Sequence, residues 1–146
     1  MHKAYSEILS LMNEYCFRVD TADFNGFAEL FENASFGVIG DPKGPSKGKS
    51  EVLEYLDRVI LYDGKPMTKH TMTNVQIDID EASKKAKAQS YLTVMQAVPP
   101  DFPLQPIFSG HYHDTFEQVD GIWRFTIREI SPDLIGDLSF HLRETL

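Results

Sequence analysis

The sequence is poor in cysteine and in positive charge, and each shortage excludes a class of function. Of 146 residues, only Cys16 is a cysteine, so neither an internal disulfide nor a cysteine-based zinc cluster can form. The 14 lysine and arginine residues are outnumbered by 22 acidic residues, which gives a formal net charge of -8. Nucleic acids and anionic membrane surfaces attract basic patches, so this balance predicts that neither is a partner.

Long apolar runs are also missing. No run is long enough to span a bilayer, and residues 1–7 lack the apolar core of a signal peptide. A single cysteine suits a reducing compartment, so we expect a cytoplasmic protein. The length predicts one domain over residues 1–146. Aromatic residues are plentiful at 12%, and such side chains both fill cores and line apolar pockets.

The first third of the chain has helical periodicity. Apolar residues recur at three- and four-residue spacing over 3–19, which predicts an amphipathic helix that ends just before Asp20. Asp23 is a natural N-cap for a short second helix, and Ser50 begins a third. Residues 34–39 are typical of a strand. The loop predicted at 40–48 matches no phosphate-binding glycine pattern, so we expect no nucleotide cofactor.

The rest of the chain has β character. Four strands are predicted at about 69–80, 85–98, 107–119 and 122–130, with Asp120-Gly121 as a hairpin turn. The proline-rich stretch 99–106 is predicted to be a surface connection, and 136–142 a short helical end. Helices followed by antiparallel strands predict an α+β fold. We expect a cone, in which a strongly curved antiparallel sheet wraps around about three N-terminal helices and leaves an interior cavity.

Three segments resemble the nuclear transport factor 2-like superfamily, specifically its SnoaL-like branch. They are residues 15–31, the stretch His70-Thr71-Met72-Thr73-Asn74-Val75, and residues 109–125, which end in Asp-Gly-Ile-Trp-Arg-Phe. The resemblance covers nearly the whole chain. Members of this superfamily include scytalone dehydratase, hexachlorocyclohexane dehydrochlorinase, ketosteroid isomerase, polyketide cyclases and many proteins of unknown role.

The resemblance implies a catalytic aspartate–histidine pair. The dehydratase and the dehydrochlorinase both use such a pair, and its two members fall on Asp20 and His70. An arginine of the dehydrochlorinase falls on Arg128, but its active-site lysine falls on Tyr15. The dehydratase has a tyrosine just before the aspartate, where this chain has Val19. The general base is thus retained and the leaving-group residues are not, which favours proton abstraction.

These residues predict a cofactor-independent lyase or isomerase that acts on a small, apolar, cyclic substrate. His70 is the expected general base and Asp20 orients it, while Arg128 and Tyr15 stabilise developing negative charge. The alternative is a non-catalytic ligand-binding or assembly domain, in which Asp20 occupies a solvated turn and His70 is a core histidine. The side chains predicted to contact the substrate are Tyr15, Phe24, Met72 and Tyr112.

His111 and His113 invite a metal hypothesis, because residues two apart on a strand share one face and His70 would complete a three-histidine site. The alternative places both on the outer face of the sheet, at a subunit contact. We predict no metal, since no carboxylate-rich or cysteine shell accompanies them. Strand residues 90–95 are apolar on both faces. This pattern predicts a homo-oligomer, dimer or trimer, that buries the outer face of the sheet.

Overall fold

The computed structural model describes residues 2–144, so residues 1, 145 and 146 of the predicted domain lie outside the described residues. Three helices precede most of the sheet, as expected. The elements in chain order are α1 (His2–Asp20), α2 (Phe24–Glu29), β1 (Ser35–Val38), β2 (Ser46–Lys47), α3 (Gly48–Leu56), β3 (Thr68–Asp80), β4 (Lys85–Val98), β5 (Phe102–Val119) and β6 (Ile122–Ile135).

The helices form where apolar spacing and capping favour them. One stripe of α1 is buried, including Ile8, Met12 and Val19. Asp23 caps α2, because its Oδ1 accepts a hydrogen bond of 3.0 Å from the Gly26 N–H. No described helix is long and apolar enough to cross a membrane.

Six strands form one open sheet in the order β2-β1-β6-β5-β4-β3. Alternate residues of β4 are buried, from Ala86 to Gln96, and they define the inner face. The α+β cone prediction is therefore confirmed. One pairing departs from the antiparallel prediction: β1 runs parallel to β6, with Phe36 opposite Arg128. The chain between β1 and β6 passes through α3 and three long strands, and this long connection allows β1 to run parallel to β6.

Two predicted boundaries are wrong. β5 begins at Phe102 rather than 107, since Phe102 pairs with Val98 and Pro106 with Met95. β6 pairs with β5 only from Phe108 onward, so the earlier part of β5 has β4 as its one strand neighbour. Prolines there lack an N–H, but no second strand lies beside them to need it. β6 itself continues to Ile135 rather than 130.

The tail after β6 forms turns instead of the predicted helical end. Its first residue, Gly136, passes close to β5: an added Cβ would lie 3.0 Å from the Pro106 carbonyl oxygen. Asp137 then accepts a hydrogen bond from the Ser139 N–H at 2.9 Å, a local bond that competes with a helix. The hairpin prediction is confirmed, with positive φ of 52° at Asp120 and 80° at Gly121.

Candidate active site

Asp20 and His70 meet on the inner face of the sheet. Asp20 is the last residue of α1 and His70 the third residue of β3, fifty positions further along the chain. The His70 Nδ1 lies 2.7 Å from Asp20 Oδ1, so the predicted contact is confirmed. Two more donors hold the carboxylate: the His70 backbone N–H at 2.7 Å and Thr68 Oγ1 at 2.8 Å.

This arrangement selects one form of the histidine. In the neutral ring, an N–H on Nδ1 directed at the carboxylate leaves Nε2 unprotonated and able to accept a proton. The side chains are largely shielded, with 8% of His70 and 13% of Asp20 exposed. A carboxylate at a helix C-terminus also faces the negative end of the helix dipole, which disfavours it. The three donors offset that cost, and the pair is therefore held in place by more than helix packing.

A partly open cavity of about 70 Å³ lies beside His70. Tyr15 and apolar residues of β1, β4, β5 and β6 form most of its wall, and Leu138, His141 and Leu142 of the tail close it. This volume is far below the roughly 300–1,000 Å³ of drug-sized sites. Two wider depressions, of about 1000 and 530 Å³, are lined mainly by polar strand residues and include neither Asp20 nor His70. Of these three cavities, His70 therefore borders only the small one.

Two tyrosines border the cavity as neutral phenols. Burial raises the pKa of Tyr15 well above its ordinary value, although the positive charge of Arg128 opposes the shift. Burial likewise raises the pKa of Tyr55 to about 12. Both hydroxyls therefore keep their protons at neutral pH and can act as hydrogen-bond donors rather than as bases.

Arg128 lies behind Tyr15 and does not line the cavity. Its Nε and Nη2 donate to the two carboxylate oxygens of Asp114, each at 2.8 Å, and both side chains are 0% exposed. The guanidinium carbon lies 3.7 Å from the ring centroid of Tyr112 and 4.5 Å from that of Tyr15. Its Nη1 has no hydrogen-bond partner among the described residues. The expected anion stabiliser is thus already neutralised by a partner that the sequence analysis did not identify.

Of the four predicted substrate contacts, Tyr15 lines the cavity and the other three do not. Tyr112 is fully buried, with its ring centroid 5.4 Å from that of Tyr15. Phe24 and Met72 are partly buried and pack against the hydrophobic core. Their positions face the interior, and most of that interior is packed core rather than open cavity.

His111 and His113 lie on the outer face, where their rings stack with centroids 4.1 Å apart. His70 points into the cone, so the three histidines do not converge. No group of three or more histidine, cysteine or acidic residues suited to a metal ion occurs within residues 2–144. His111 instead contacts Gln89, with 3.1 Å between its Nε2 and the amide oxygen.

His141 also lines the cavity, and the sequence analysis did not identify it as a site residue. It is 8% exposed, and its ring centroid lies 6.3 Å from that of His70. Burial and, to a smaller degree, the nearby His70 lower the pKa of His141 to about 4, although Asp20 opposes the shift. No periodic pattern marks this residue, and it was assigned to a helical end. Only the return of the tail to the cavity brings it here.

The fold and the site together define a cone-shaped α+β protein with a buried aspartate–histidine pair at an internal cavity. A model of the SnoaL-like domain matches residues 2–129, which is most of the chain. The protein therefore belongs to the SnoaL-like family. His141 lies beyond the matched residues. A comparison with proteins of curated function finds no match.

Solved structures agree on the fold. A protein of unknown function from Mycobacterium tuberculosis is 25% identical, with a TM-score of 0.74 over 90% of this chain and 73% of that chain. A candidate scytalone dehydratase from Novosphingobium aromaticivorans is 22% identical, with a TM-score of 0.73 over 92% and 87%. A hexachlorocyclohexane dehydrochlorinase from Novosphingobium barchaimii is 18% identical, with a TM-score of 0.74 over 98% and 92%.

Proposed function

We propose that the protein is a cofactor-independent lyase or isomerase that begins by removing a proton from a small, mostly apolar, cyclic substrate. The observation that carries this proposal is the 2.7 Å contact between His70 Nδ1 and Asp20 beside an apolar cavity. It supports the second ring nitrogen of His70 as the base, because a histidine that acts as general base needs a positioned, unprotonated nitrogen.

In the proposed step, His70 takes a proton from a substrate carbon and becomes an imidazolium. The Asp20 carboxylate stabilises that charge and keeps the ring oriented, while the donors from Thr68 and the His70 backbone keep the carboxylate fixed. Tyr15 borders the cavity as a neutral phenol and supplies a donor for charge that develops on the substrate. Arg128 supports this region through its contact with the Tyr15 ring, and its unpartnered Nη1 is its remaining donor.

The size of the cavity limits the substrate. A volume of about 70 Å³ holds only a small group, so either the substrate is small or the tail residues that close the cavity move aside when it binds. The apolar walls favour a hydrophobic ligand. Two of the similar structures are named as a dehydratase and a dehydrochlorinase, and both names denote eliminations, which supports the lyase form of the proposal.

A substrate screen followed by one substitution tests the proposal. Small cyclic ketones, alcohols and halides are incubated with the protein, and proton exchange or elimination is followed by NMR. With an active compound, His70→Gln should lower turnover by about 10²–10⁴, the usual contribution of a general base. His111→Gln is the matched control, because it makes the same change on the outer face and should leave turnover unchanged. Full turnover in His70→Gln would refute the proposal.

The second candidate is a ligand-binding domain without catalysis. The observations that favour it are the small volume of the cavity and the presence of Tyr15 and Val19 at the positions where the resemblance implies leaving-group residues. This candidate predicts that small cyclic compounds raise the melting temperature without being converted. Such a result with the whole screened set would replace the enzymatic proposal.

We also propose that the chain forms a homo-oligomer, dimer or trimer, in the cytoplasm. Tyr91 on β4 and Ile127 on β6 are 49% and 44% exposed on the outer face of the sheet, where a second copy would cover them. Light scattering at micromolar concentration should give a multiple of 16.6 kDa, and Tyr91→Lys should reduce it. A monomeric mass for the unaltered protein would contradict this assembly.

A further inference from the structure

We propose that His141 is a second substrate-contacting residue of the cavity, which donates a hydrogen bond to a carbonyl oxygen of the substrate while His70 removes a proton from the adjacent carbon. This inference rests on the proposed function and narrows it to ketone substrates. His141 and His70 line the same cavity, and their ring centroids lie 6.3 Å apart. A carbonyl oxygen and its α-carbon are two bonds apart, so one small ketone bound in the cavity against both rings presents each atom to a different histidine.

The tail holds His141 in this position through its backbone. The His141 N–H donates to the Leu138 carbonyl at 3.0 Å, and the His141 carbonyl accepts from the Ile60 N–H at 2.8 Å. The preceding Phe140 stacks on Phe102, with ring centroids 4.4 Å apart, and its carbonyl accepts from Gln96 at 3.1 Å. Anchors on both sides of His141 fix the backbone and leave the imidazole as the part that faces the cavity.

One ring nitrogen of His141 has no hydrogen bond that would explain its burial. His141 is 8% exposed, and its Nδ1 has no hydrogen-bond partner within the described chain. A buried polar atom without a partner typically costs about 1–3 kcal/mol, and proteins keep such atoms mainly where a ligand or water satisfies them. A structural histidine would be expected to bond a backbone carbonyl, as Gln96 does nearby.

The charge state suits a donor to a carbonyl. The low pKa of His141 keeps the ring neutral at pH 7, and a neutral imidazole carries one N–H. Proton removal by His70 sends the C–H electron pair into a new carbon–carbon double bond, and the carbonyl π electrons move to oxygen. The proton is then on His70, where Asp20 stabilises it, and the negative charge is on the oxygen held by the His141 N–H. A neutral histidine is an established electrophile for such enolates.

Infrared spectroscopy with cyclopentanone as the probe tests the placement without requiring turnover. The carbonyl stretch of bound cyclopentanone, labelled with ¹³C at the carbonyl, should move to lower frequency than in an apolar solvent. The shift should vanish in His141→Phe and persist in His70→Gln. Deuterium exchange at the α-carbon should fall by about 10²–10³ in His141→Phe, the usual effect of losing one oxyanion donor, and recover partly in His141→Gln.

A measurement on the unaltered protein covers the case in which His141→Phe does not fold. Long-range ¹H–¹⁵N spectra should show the His141 ring nitrogens shifting when cyclopentanone is added, and not when methylcyclopentane is added. An unshifted carbonyl stretch, a shift that persists in His141→Phe, unresponsive ring nitrogens or no binding of cyclopentanone would each overturn the inference. If any one of these results is found while His70→Gln still abolishes turnover of another compound, the proposed function stands without this inference. Full exchange in His70→Gln would instead overturn the proposed function.

Discussion

Two buried pairs, each made of an acidic and a basic side chain, lie on the inner face of the sheet, and they are built for different purposes. Asp114 and Arg128 form a closed fork: two bonds of 2.8 Å, no exposed surface, and aromatic rings over the guanidinium. Asp20 and His70 form an open pair: the carboxylate accepts three hydrogen bonds, while the described residues give the second ring nitrogen of His70 no partner and His70 borders a cavity. A buried pair that satisfies itself organises packing, whereas one that keeps a free nitrogen at a cavity is suited to chemistry.

The largest expected effect is on turnover, from Asp20→Asn. Asparagine keeps one acceptor oxygen, and when that oxygen accepts the His70 backbone N–H, the amide nitrogen faces Nδ1 and donates to it. The ring would then adopt the tautomer whose proton sits on the catalytic nitrogen. We expect turnover to fall by on the order of 10⁴, as when the same change is made in a serine protease triad. Steady-state kinetics with the screened substrate measure it, with Asp23→Asn at the exposed cap as the control. A loss of less than tenfold would mean that Asp20 does not set the tautomer.

The closed pair should affect stability instead. Asp114→Asn leaves the Arg128 charge buried and unpaired, which should lower the free energy of unfolding by about 3–5 kcal/mol. The combined change Asp114→Leu with Arg128→Met removes both charges and should recover most of that loss. Urea unfolding measures both proteins. If the double variant is no more stable than Asp114→Asn, the cost does not come from the unpaired charge.

The pH dependence of stability separates His141 from the other histidines. In the unfolded chain His141 binds a proton near pH 6.5, whereas in the folded chain it does so only near pH 4, because burial and the charge of His70 disfavour its cation. The unfolded state therefore binds more protons in this window, and stability falls as the pH drops through it, by at most about 3 kcal/mol. His141→Gln should flatten the profile between pH 6.5 and 4. An unchanged slope in this variant would contradict the assignment.

The smallest effect is expected for an exposed pair on the same two strands as the closed fork. The Arg124 Nε lies 3.1 Å from the Glu117 Oε2, and 37% and 32% of the two side chains are exposed. Glu117→Gln should change the free energy of unfolding by about 0–1 kcal/mol, and less at high salt. Urea unfolding beside Asp114→Asn provides the comparison. If Glu117→Gln lowered the free energy of unfolding as much as Asp114→Asn does, shielding from water would not determine how much each ion pair contributes to stability.

Local patterns in the sequence were enough for much of the fold. The apolar spacing over 3–19 gives α1, the Asp23 cap gives α2, and Asp120-Gly121 gives the last hairpin, because each depends on residues within one or two turns of one another. The family resemblance supplied the partner for Asp20, which no local pattern indicates. The prediction of a surface connection failed at 102–106, which belong to β5, because whether prolines fit in a strand depends on which neighbours that strand has.

By itself, then, the sequence determined the periodic elements, the order of helices and strands, and the residue types available for acid–base chemistry. Only the tertiary structure decided what those residues can do. Asp114 was an unremarked strand residue until the register of β5 and β6 placed it opposite Arg128 and neutralised the expected anion stabiliser. His141 joined the site because the tail folds back over the cavity, with its carbonyl bonded to Ile60. Burial, charge pairing and enclosure depend on contacts between distant segments, and no short-range pattern records those contacts.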